Sequence, residues 1–228
     1  MRQEWSIAVH VSTLRRFMRR WGYAWKRCRR SLRAQRDPDA FAACQQHLRA
    51  LHRAEATGGA AVVYLDECRF SRQAPVPYAW QRRGQPPVEL PAVRGGGGYS
   101  VLGFWQPGAP GQPLDAYVRT GALTADLFVL AVNEFAEQLT APAVLVLDNA
   151  SIHTAHLVRE RHAAWAAAGL TLLFLPPYSP ELNKIEMLWH RCKHCWVRPE
   201  DYHADPTLLE RIEHVLMEVG QKCTVTFA

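Results

Sequence analysis

The sequence predicts an α/β fold in which a mixed sheet is flanked by helices and preceded by a partial helix-turn-helix or winged-helix segment. Three apolar runs rich in Val and Leu have the length and composition of strands buried on both faces, and they cover residues 60–65, 143–147 and 170–175. Beyond residue 120, helical and strand-like segments alternate, as expected for a sheet covered by helices. Residues 1–36 are strongly basic instead.

Charge is distributed unevenly along the 228 residues. Residues 1–36 contain eleven Lys and Arg and one acid, Glu4, so their net charge is 11 − 1 = +10. The whole chain carries +6, which leaves 6 − 10 = −4 for the remainder. This asymmetry predicts a basic arm for a polyanion, most naturally nucleic acid, beside an acidic body suited to metal ions.

The apolar runs and the cysteines indicate the compartment. No run approaches the roughly 18 apolar residues of a membrane span, and the N-terminus has no signal-peptide core, so we expect a cytoplasmic protein without a membrane partner. Six cysteines are scattered through a chain too large to need stapling. We therefore expect reduced thiols and no structural disulfide.

The first predicted element is a basic amphipathic helix from Ser12, its N-cap, to Gly22, its C-terminal stop. Its apolar stripe has helical spacing and consists of Leu14, Phe17, Met18 and Trp21. Four cations on the opposite side are candidates for DNA binding: Arg15, Arg16, Arg19 and Arg20. Residues 23–30 fit a wing in which Lys26 and Arg27 contact phosphates. The alternative is a solvated basic face.

A second helix is predicted to start at Asp37-Pro38, because Pro is favourable at the first helical position, and to end at residues 56–59. These limits divide the chain into a DNA-binding segment (1–36), a linker helix (37–56) and a catalytic body (57–228).

Within the body, antiparallel strands are predicted at residues 78–84 and 99–105, joined by Pro- and Gly-rich turns, with a third at 114–119. Helices are predicted at 124–138, at 150–168 and again towards the C-terminus.

Three carboxylates stand where an apolar run ends or a helix begins. Asp66 closes the first run, Asp148 closes the second, and Glu186 follows the third through a Pro-rich turn. Acids placed just past such strands would meet at one edge of the sheet. A site of carboxylate oxygens suits Mg²⁺ or Mn²⁺ better than Zn²⁺. The chemistry implied is cleavage or transfer of a phosphodiester.

Each candidate has an alternative reading. Asp66 or Asp148 alone would often be a turn residue. Residues 183–186 fit a capping box in which Glu186 bonds back to the cap amide, and Glu181 is a rival metal ligand. Cys192 and Cys195, with His190 nearby, suggest zinc, but a closed site needs four ligands.

The chain resembles the DDE-type transposases of the mariner-like superfamily, specifically their bacterial insertion-sequence branch. Four ordered stretches carry the resemblance: Tyr64-Leu65-Asp66-Glu67-Cys68-Arg69-Phe70, residues 80–86 (WQRRGQP), Leu147-Asp148-Asn149-Ala150-Ser151-Ile152-His153 and residues 175–189 (LPPYSPELNKIEMLW). The resemblance implies an RNase H-like fold and a metal-binding triad of Asp66, Asp148 and Glu186.

It also implies the cofactor and the partners. Two Mg²⁺ or Mn²⁺ ions would activate a water or a DNA 3′-hydroxyl, with Asp66 bridging the ions. Glu67, Asn149 and His153 are expected to contact the triad and not the metal ions. His153, one helical turn into the following helix, could face either the site or the DNA. The partners would be double-stranded DNA, both the terminal repeats of the element and the target, and a second copy in a homodimer or larger synaptic assembly.

The resemblance leaves three functions open. The first is a transposase that cleaves element ends and joins them to target DNA. The second is a catalytically inactive DNA-binding remnant that represses transposition, and the third is a structure-specific nuclease on the same scaffold. Full-length relatives begin with a longer tandem helix-turn-helix region, so we expect this chain to be N-terminally truncated.

Overall fold

A computed structural model describes residues 10–25, 33–74, 81–86, 89 and 97–226. The chain divides into two compact units, Met1–Ala34 and Gln35–Ala228. In the first unit, helix α1 (Val11–Arg20) presents its side chains to solvent. No helix in the part of the chain described here combines the length and apolarity of a membrane span.

The second unit contains all the strands described. The strands are β1 (Ala61–Ser71), β2 (Gly98–Trp105), β3 (Leu114–Thr120), β4 (Ala143–Leu147) and β5 (Leu170–Phe174). The helices are α2 (Pro38–Glu55), α3 (Ala125–Glu137), α4 (His156–Ala167), α5 (Ile185–Arg191) and α6 (Asp205–Met217). A π-helical turn (Cys192–Trp196) extends α5, and short 3₁₀ turns cover Arg33–Gln35, Pro180–Leu182 and Pro199–His203.

Within the described residues, these strands form one mixed sheet in the order β3-β2-β1-β4-β5. The β1–β2 and β2–β3 pairs are antiparallel, whereas β1–β4 and β4–β5 are parallel. The predicted fold class, a mixed sheet flanked by helices, is confirmed.

Both faces of the sheet are covered, because side chains alternate along each strand. On one face, Val62 and Tyr64 of β1 pack with residues of α2, α5 and α6. On the other, Val63 and Leu65 pack with residues of α3 and α4. By this alternation Asp66 belongs to the α5 face and Glu67 to the α3–α4 face.

Two predicted strands differ from the structure. β1 does not end before Asp66 but continues to Ser71, because its antiparallel pairing with β2 runs on after its parallel pairing with β4 stops at Tyr64. Of the strand predicted at 78–84, residues 78–80 lie outside the described residues, and residues 81–84 form a turn. In that turn Gln85 N–H bonds to the Arg82 carbonyl, and Gly84 has φ of 80°.

Two helix starts were also wrong. The N-cap of α1 is His10, whose side chain accepts a hydrogen bond from the Ser12 N–H, so Ser12 lies inside the helix. α4 begins at His156 and not at residue 150, because the side chain of Asp148 first organises a turn by accepting from the Ala150 N–H at 2.9 Å.

Gly103 of β2 is paired with Asp66 and has no room for a side chain. A Cβ there would lie 2.6 Å from the Trp189 ring, which is 3% exposed. We expect Gly103→Ala to destabilise the fold by about 1–3 kcal/mol, the usual range for overpacking, and to displace α5 with Glu186. Chemical denaturation measures this change.

The matched rescue is the double variant Gly103→Ala with Trp189→Phe, because the smaller ring vacates the space that the new methyl group needs. A single Gly103→Ala variant as stable as the wild type would show that the indole is not clamped against the sheet.

Candidate active site

Strand register brings the first two acids together. Tyr64 of β1 is the parallel partner of Val146 in β4, and each acid follows two residues later, at Asp66 and Asp148. β4 ends at Leu147, so Asp148 opens the next loop, while Asp66 remains in a strand and is 9% exposed. The two carboxylates therefore belong to neighbouring positions where β1 and β4 part.

Glu186 reaches the same place from α5, the helix whose Trp189 packs against Gly103 opposite Asp66. Burial, then the charge of Glu186, and then that of Asp148 raise the pKa of Asp66 to about 8, although the Glu67 N–H donates to its Oδ1 at 2.8 Å. Burial and Asp148 also raise the pKa of Glu186, against the opposing charge of Lys193. The structure thus brings the three predicted acids into one electrostatic group.

His153 bridges two acids from opposite sides of its ring. Nδ1 lies 2.9 Å from Oδ1 of Asp148, and Nε2 lies 2.8 Å from Oε1 of Glu67. The side chain is 0% exposed and packs against the Phe128 ring at 4.8 Å. It lies in the turn before α4, not one turn into that helix.

Hydrogen bonding sets the charges of this bridge. Burial alone would lower the pKa of His153, but the hydrogen bonds and charges of Asp148 and Glu67 raise it to about 9. The hydrogen bond from His153 lowers the pKa of Asp148, with burial opposing. The bridge therefore favours the imidazolium form of His153, which lies between Asp148 and Glu67.

Asn149 ties two loops together, because its side-chain amide donates to the Leu175 carbonyl beyond β5. This contact joins the chain after β4 to the Pro-rich turn that leads to α5. Glu67 contacts Asp66 through its N–H, and His153 contacts Asp148. Asn149 follows Asp148 directly and contacts the loop after β5.

A cleft of about 510 Å³ opens beside two of the acids. It is lined by Asp148, Asn149, Ala150, Leu175, Pro176, Pro177, Tyr178, Ser179, Pro180, Asn183 and Glu186. Tyr178 and Asn183 were not among the site residues predicted from the sequence. Both could have been found from their position in residues 175–189, the motif that also contains Glu186.

Of the two alternatives for Glu186, the capping box is not formed in the structure, whereas Glu181 as the metal ligand stays an alternative prediction. Glu181 pairs with Arg36. The capping box at residues 183–186 is not formed, since α5 is capped by Lys184 without a side-chain hydrogen bond. The Cys192 thiol is buried whereas Cys195 is exposed. Across the residues that the structure describes, no three His, Cys, Asp or Glu side chains converge closely enough to hold a metal.

The predicted DNA-binding residues lie in the first unit. The four arginines of α1 are exposed: Arg15, Arg16, Arg19 and Arg20. Lys26 and Arg27 lie outside the described residues.

The sheet is mixed, and it carries acids just past the point where the pairing of β1 with β4 ends. This arrangement is that of the RNase H-like nucleases and strand transferases. The chain belongs to the DDE superfamily endonuclease family, which it matches over residues 61–208. Residues 1–48 match the winged helix-turn helix family. These matches confirm the predicted DDE family and winged helix, and the insertion-sequence branch stays a prediction.

Solved structures of the Mos1 mariner transposase are similar to this chain. The Mos1 paired-end complex with the left transposon end has a TM-score of 0.55 at 17% identity, covering 93% of this chain and 69% of the Mos1 chain. The Mos1 strand transfer complex gives 0.53 at 17% identity, covering 93% and 68%. The Mos1 paired-end complex with Mn gives 0.52 at 15% identity, covering 95% and 72%. At these identities the similarity shows the shared RNase H-like fold.

A curated relative covers less of the chain. The uncharacterized protein y4pE/y4sA of Sinorhizobium fredii is 39% identical over 57 residues, which make up 25% of this chain and 38% of that protein. The match therefore spans well under half of the relative's length.

Proposed function

We propose that this chain is an insertion-sequence transposase that cuts DNA at the ends of its element and joins them to target DNA. The observation that carries the proposal is that Asp66, Asp148 and Glu186, the three acids of the family motifs, act on one another's charge beside an open cleft. These three carboxylates would hold the cations, and Asp66 is the most deeply buried of them.

The donor chemistry fits hard divalent cations. Burial is the main reason why the pKa of Asp66 is raised, and the charges of Glu186 and Asp148 add to it, so a cation beside this carboxyl would be stabilising. Carboxylate oxygens are the ligands that Mg²⁺ and Mn²⁺ prefer. When bound, two such cations would stabilise the charge that develops on the attacking and leaving oxygens at phosphorus. The Mn complex of Mos1, a protein of similar fold, is consistent with this choice.

The chain's own residues position this site. The His153 ring is hydrogen-bonded to Asp148 through Nδ1 and to Glu67 through Nε2. The side-chain amide of Asn149 donates to the Leu175 carbonyl and so fixes the neighbouring loop. Residues 1–36 would supply the DNA-binding segment, 37–56 a connecting helix, and 57–228 the catalytic body.

The partners follow from the same chemistry. The substrates would be double-stranded terminal repeats and target DNA, and a homodimer is the smallest assembly that can hold two ends together. We place the protein in the bacterial cytoplasm with the nucleoid.

The α1 arginines provide a first test of DNA binding. Replacing all four by Ala is expected to weaken binding and to reduce the slope of log K against log salt by about 0.9 for each arginine that contacts a phosphate. Fluorescence anisotropy over a salt series measures this slope.

The charge-matched control replaces four exposed arginines of α2 and α4, namely Arg49, Arg53, Arg159 and Arg161. If the α1 variant leaves the salt slope unchanged, or if the control lowers it equally, the α1 arginines are not the specific DNA contacts.

The function itself is tested on plasmid DNA that carries the element's own ends, with Mg²⁺, Mn²⁺ or a chelator. Metal-dependent nicks at the ends together with joined products are the expected result. Nicks at branched structures without joining would identify a structure-specific nuclease, and DNA binding without any product would identify a regulatory remnant.

A further inference from the structure

A network of buried polar groups attaches the last turn of α2 to the sheet. Glu55 is its centre, with a side chain that is 10% exposed. Oε1 of Glu55 accepts from the Val62 N–H at 2.9 Å and from the Gln106 side-chain amide at 3.1 Å. Gly108 has no room for a side chain, because a Cβ there would lie 2.2 Å from Oε2 of Glu55. The end of α2 is therefore tied to β1 and to the turn after β2.

His52, one turn earlier in α2, extends this network to Tyr64 of β1. Nδ1 of His52 lies 3.1 Å from Oε2 of Glu55, and Nε2 lies 2.8 Å from the Tyr64 hydroxyl. Burial lowers the pKa of His52, with Glu55 opposing, and burial also raises the pKa of Tyr64. The favoured neutral imidazole donates from Nδ1 to the carboxylate and accepts the tyrosine O–H at Nε2, so both ring nitrogens are used.

Tyr64 neighbours the two segments that carry the first and third acids. It lies two residues before Asp66 in β1, so the two side chains share one face of that strand. Nζ of Lys184 lies 5.9 Å from the centre of the Tyr64 ring, within the range of cation–π attraction. Lys184 is the N-cap residue of α5, two residues before Glu186. One ring, 1% exposed, therefore joins α2 to the segments that hold both acids.

The polar character of this network indicates a role beyond stability. The side chains packed around Tyr64 form an apolar core that includes Leu48, Val62 and Ile185. Apolar side chains of similar volume often stabilise a core at least as well as a buried ionic network does. Hydrogen bonds, in contrast, fix the direction and distance of the groups that they join. The network is therefore suited to holding elements in a set geometry.

We propose that the His52–Tyr64 hydrogen bond is a positioning contact that sets the separation of Asp66 and Glu186, and thereby the affinity of the site for its metal ions. The metal site then depends on how α2 is seated on the sheet, and α2 follows the basic residues 1–36 in the chain. This inference rests on the proposed function and deepens it by naming how the linker helix acts on the active site.

Binding of Mn²⁺ without DNA is the first readout, because it does not require turnover. Isothermal titration calorimetry measures the dissociation constant, and loss of the signal in Asp66→Asn assigns it to the acids. Tyr64→Phe removes only the hydroxyl. It should raise the Mn²⁺ dissociation constant about two- to tenfold, the change that one hydrogen bond typically makes in an equilibrium.

Tyr99→Phe is the matched control. Tyr99 lies in β2, belongs to the same core and is 9% exposed, and its hydroxyl donates to the Asp205 carbonyl at 3.3 Å. The variant therefore loses a hydroxyl bond of the same kind. Tyr99 is paired with Phe70 at the far end of β1, not with Asp66. Its loss should leave the Mn²⁺ dissociation constant unchanged.

Two replacements of His52 separate its two hydrogen bonds, because the amide of Gln reaches about as far as Nε2 and the amide of Asn about as far as Nδ1. His52→Gln should keep the bond to Tyr64 and bind Mn²⁺ like the wild type. His52→Asn should keep the bond to Glu55 and weaken Mn²⁺ binding as much as Tyr64→Phe does. Combining His52→Asn with Tyr64→Phe should add nothing further, since both remove the same bond.

Hydrogen exchange provides a second readout in the absence of metal. The Glu186 N–H donates to the Asn183 carbonyl at 3.1 Å, at the start of α5. This amide should exchange about two- to tenfold faster in Tyr64→Phe than in Tyr99→Phe, because the contact that holds α5 to β1 is weakened.

All variants are compared at a temperature at which their melting curves show them folded. If Tyr64→Phe does not fold, the His52 pair decides, since that side chain is 21% exposed. Mn²⁺ affinity and amide exchange that are the same in His52→Asn, His52→Gln and the wild type would overturn the positioning role and leave the proposed function intact. Mn²⁺ binding that depends on His52 in a protein that neither cuts nor joins DNA would do the reverse. A wild type that binds no Mn²⁺ would contradict both.

Discussion

The Asp148→Asn variant is expected to lose nicking and strand joining by on the order of 10³-fold or more, while it binds DNA as tightly as the wild type. Asn keeps the size of Asp and an oxygen that can accept from His153 and the Ala150 N–H, so the loop should keep its path. It lacks the charge needed to hold a divalent cation. Gel assays of plasmid products, paired with anisotropy on the same DNA, measure both quantities.

A neighbouring pair of acids supplies the matched control. Glu186→Gln should be as inactive as Asp148→Asn, whereas Glu181→Gln, five residues earlier and paired with Arg36, should retain activity. Retained cleavage in Asp148→Asn would exclude it from the triad. Loss of activity in Glu181→Gln with normal activity in Glu186→Gln would assign the third acid to Glu181 instead.

Local sequence was sufficient to predict those strands that consist of one short apolar run. β4 and β5 lie where the runs at 143–147 and 170–175 predict them, and Asp37 caps α2 through hydrogen bonds to the N–H groups of Asp39 and Ala40. In each case the pattern depends only on neighbours in sequence.

The interior position of Asp66 could not be predicted in this way. A charged residue in a strand contradicts local preference, and it is held there by long-range pairing of β1 with β2, whose Gly103 leaves space for Trp189. The sequence therefore predicted Asp66 just past the end of its strand, whereas Asp66 lies inside β1.

The histidine bridge was likewise beyond local reasoning. His153 was predicted to lie in a helix that could face the site or the DNA, but its hydrogen bond to Glu67 spans 86 residues and becomes visible only once β1 and β4 are neighbours. The strained backbone of Tyr178, whose φ is 59°, has no signature in composition either, since the residue type that prefers such a conformation is absent. Both features lie at the site, where local preferences are most often overridden.

Replacing His153 by Ala is expected to affect stability and metal use together. The variant leaves a cavity against Phe128 and removes the donor shared by Asp148 and Glu67. Because the side chain of Asp148 is 52% exposed and can reach water, we expect destabilisation of about 2–4 kcal/mol, below the upper range for a fully buried pair. Thermal and chemical denaturation measure this value.

The distinguishing measurement for His153 is the Mg²⁺ concentration that gives half-maximal cleavage. A residue that orients a metal ligand changes metal affinity or activity by about 10–100-fold when it is removed, so half-saturation should rise by that factor in His153→Ala. His162→Ala is the control, because His162 packs against the rings of Trp165 and Phe174, so its loss should lower stability without changing the half-saturating Mg²⁺ concentration. If His153→Ala and the wild type need the same Mg²⁺ concentration for half-maximal cleavage, at a temperature where both are folded, His153 contributes to packing and does not orient Asp148.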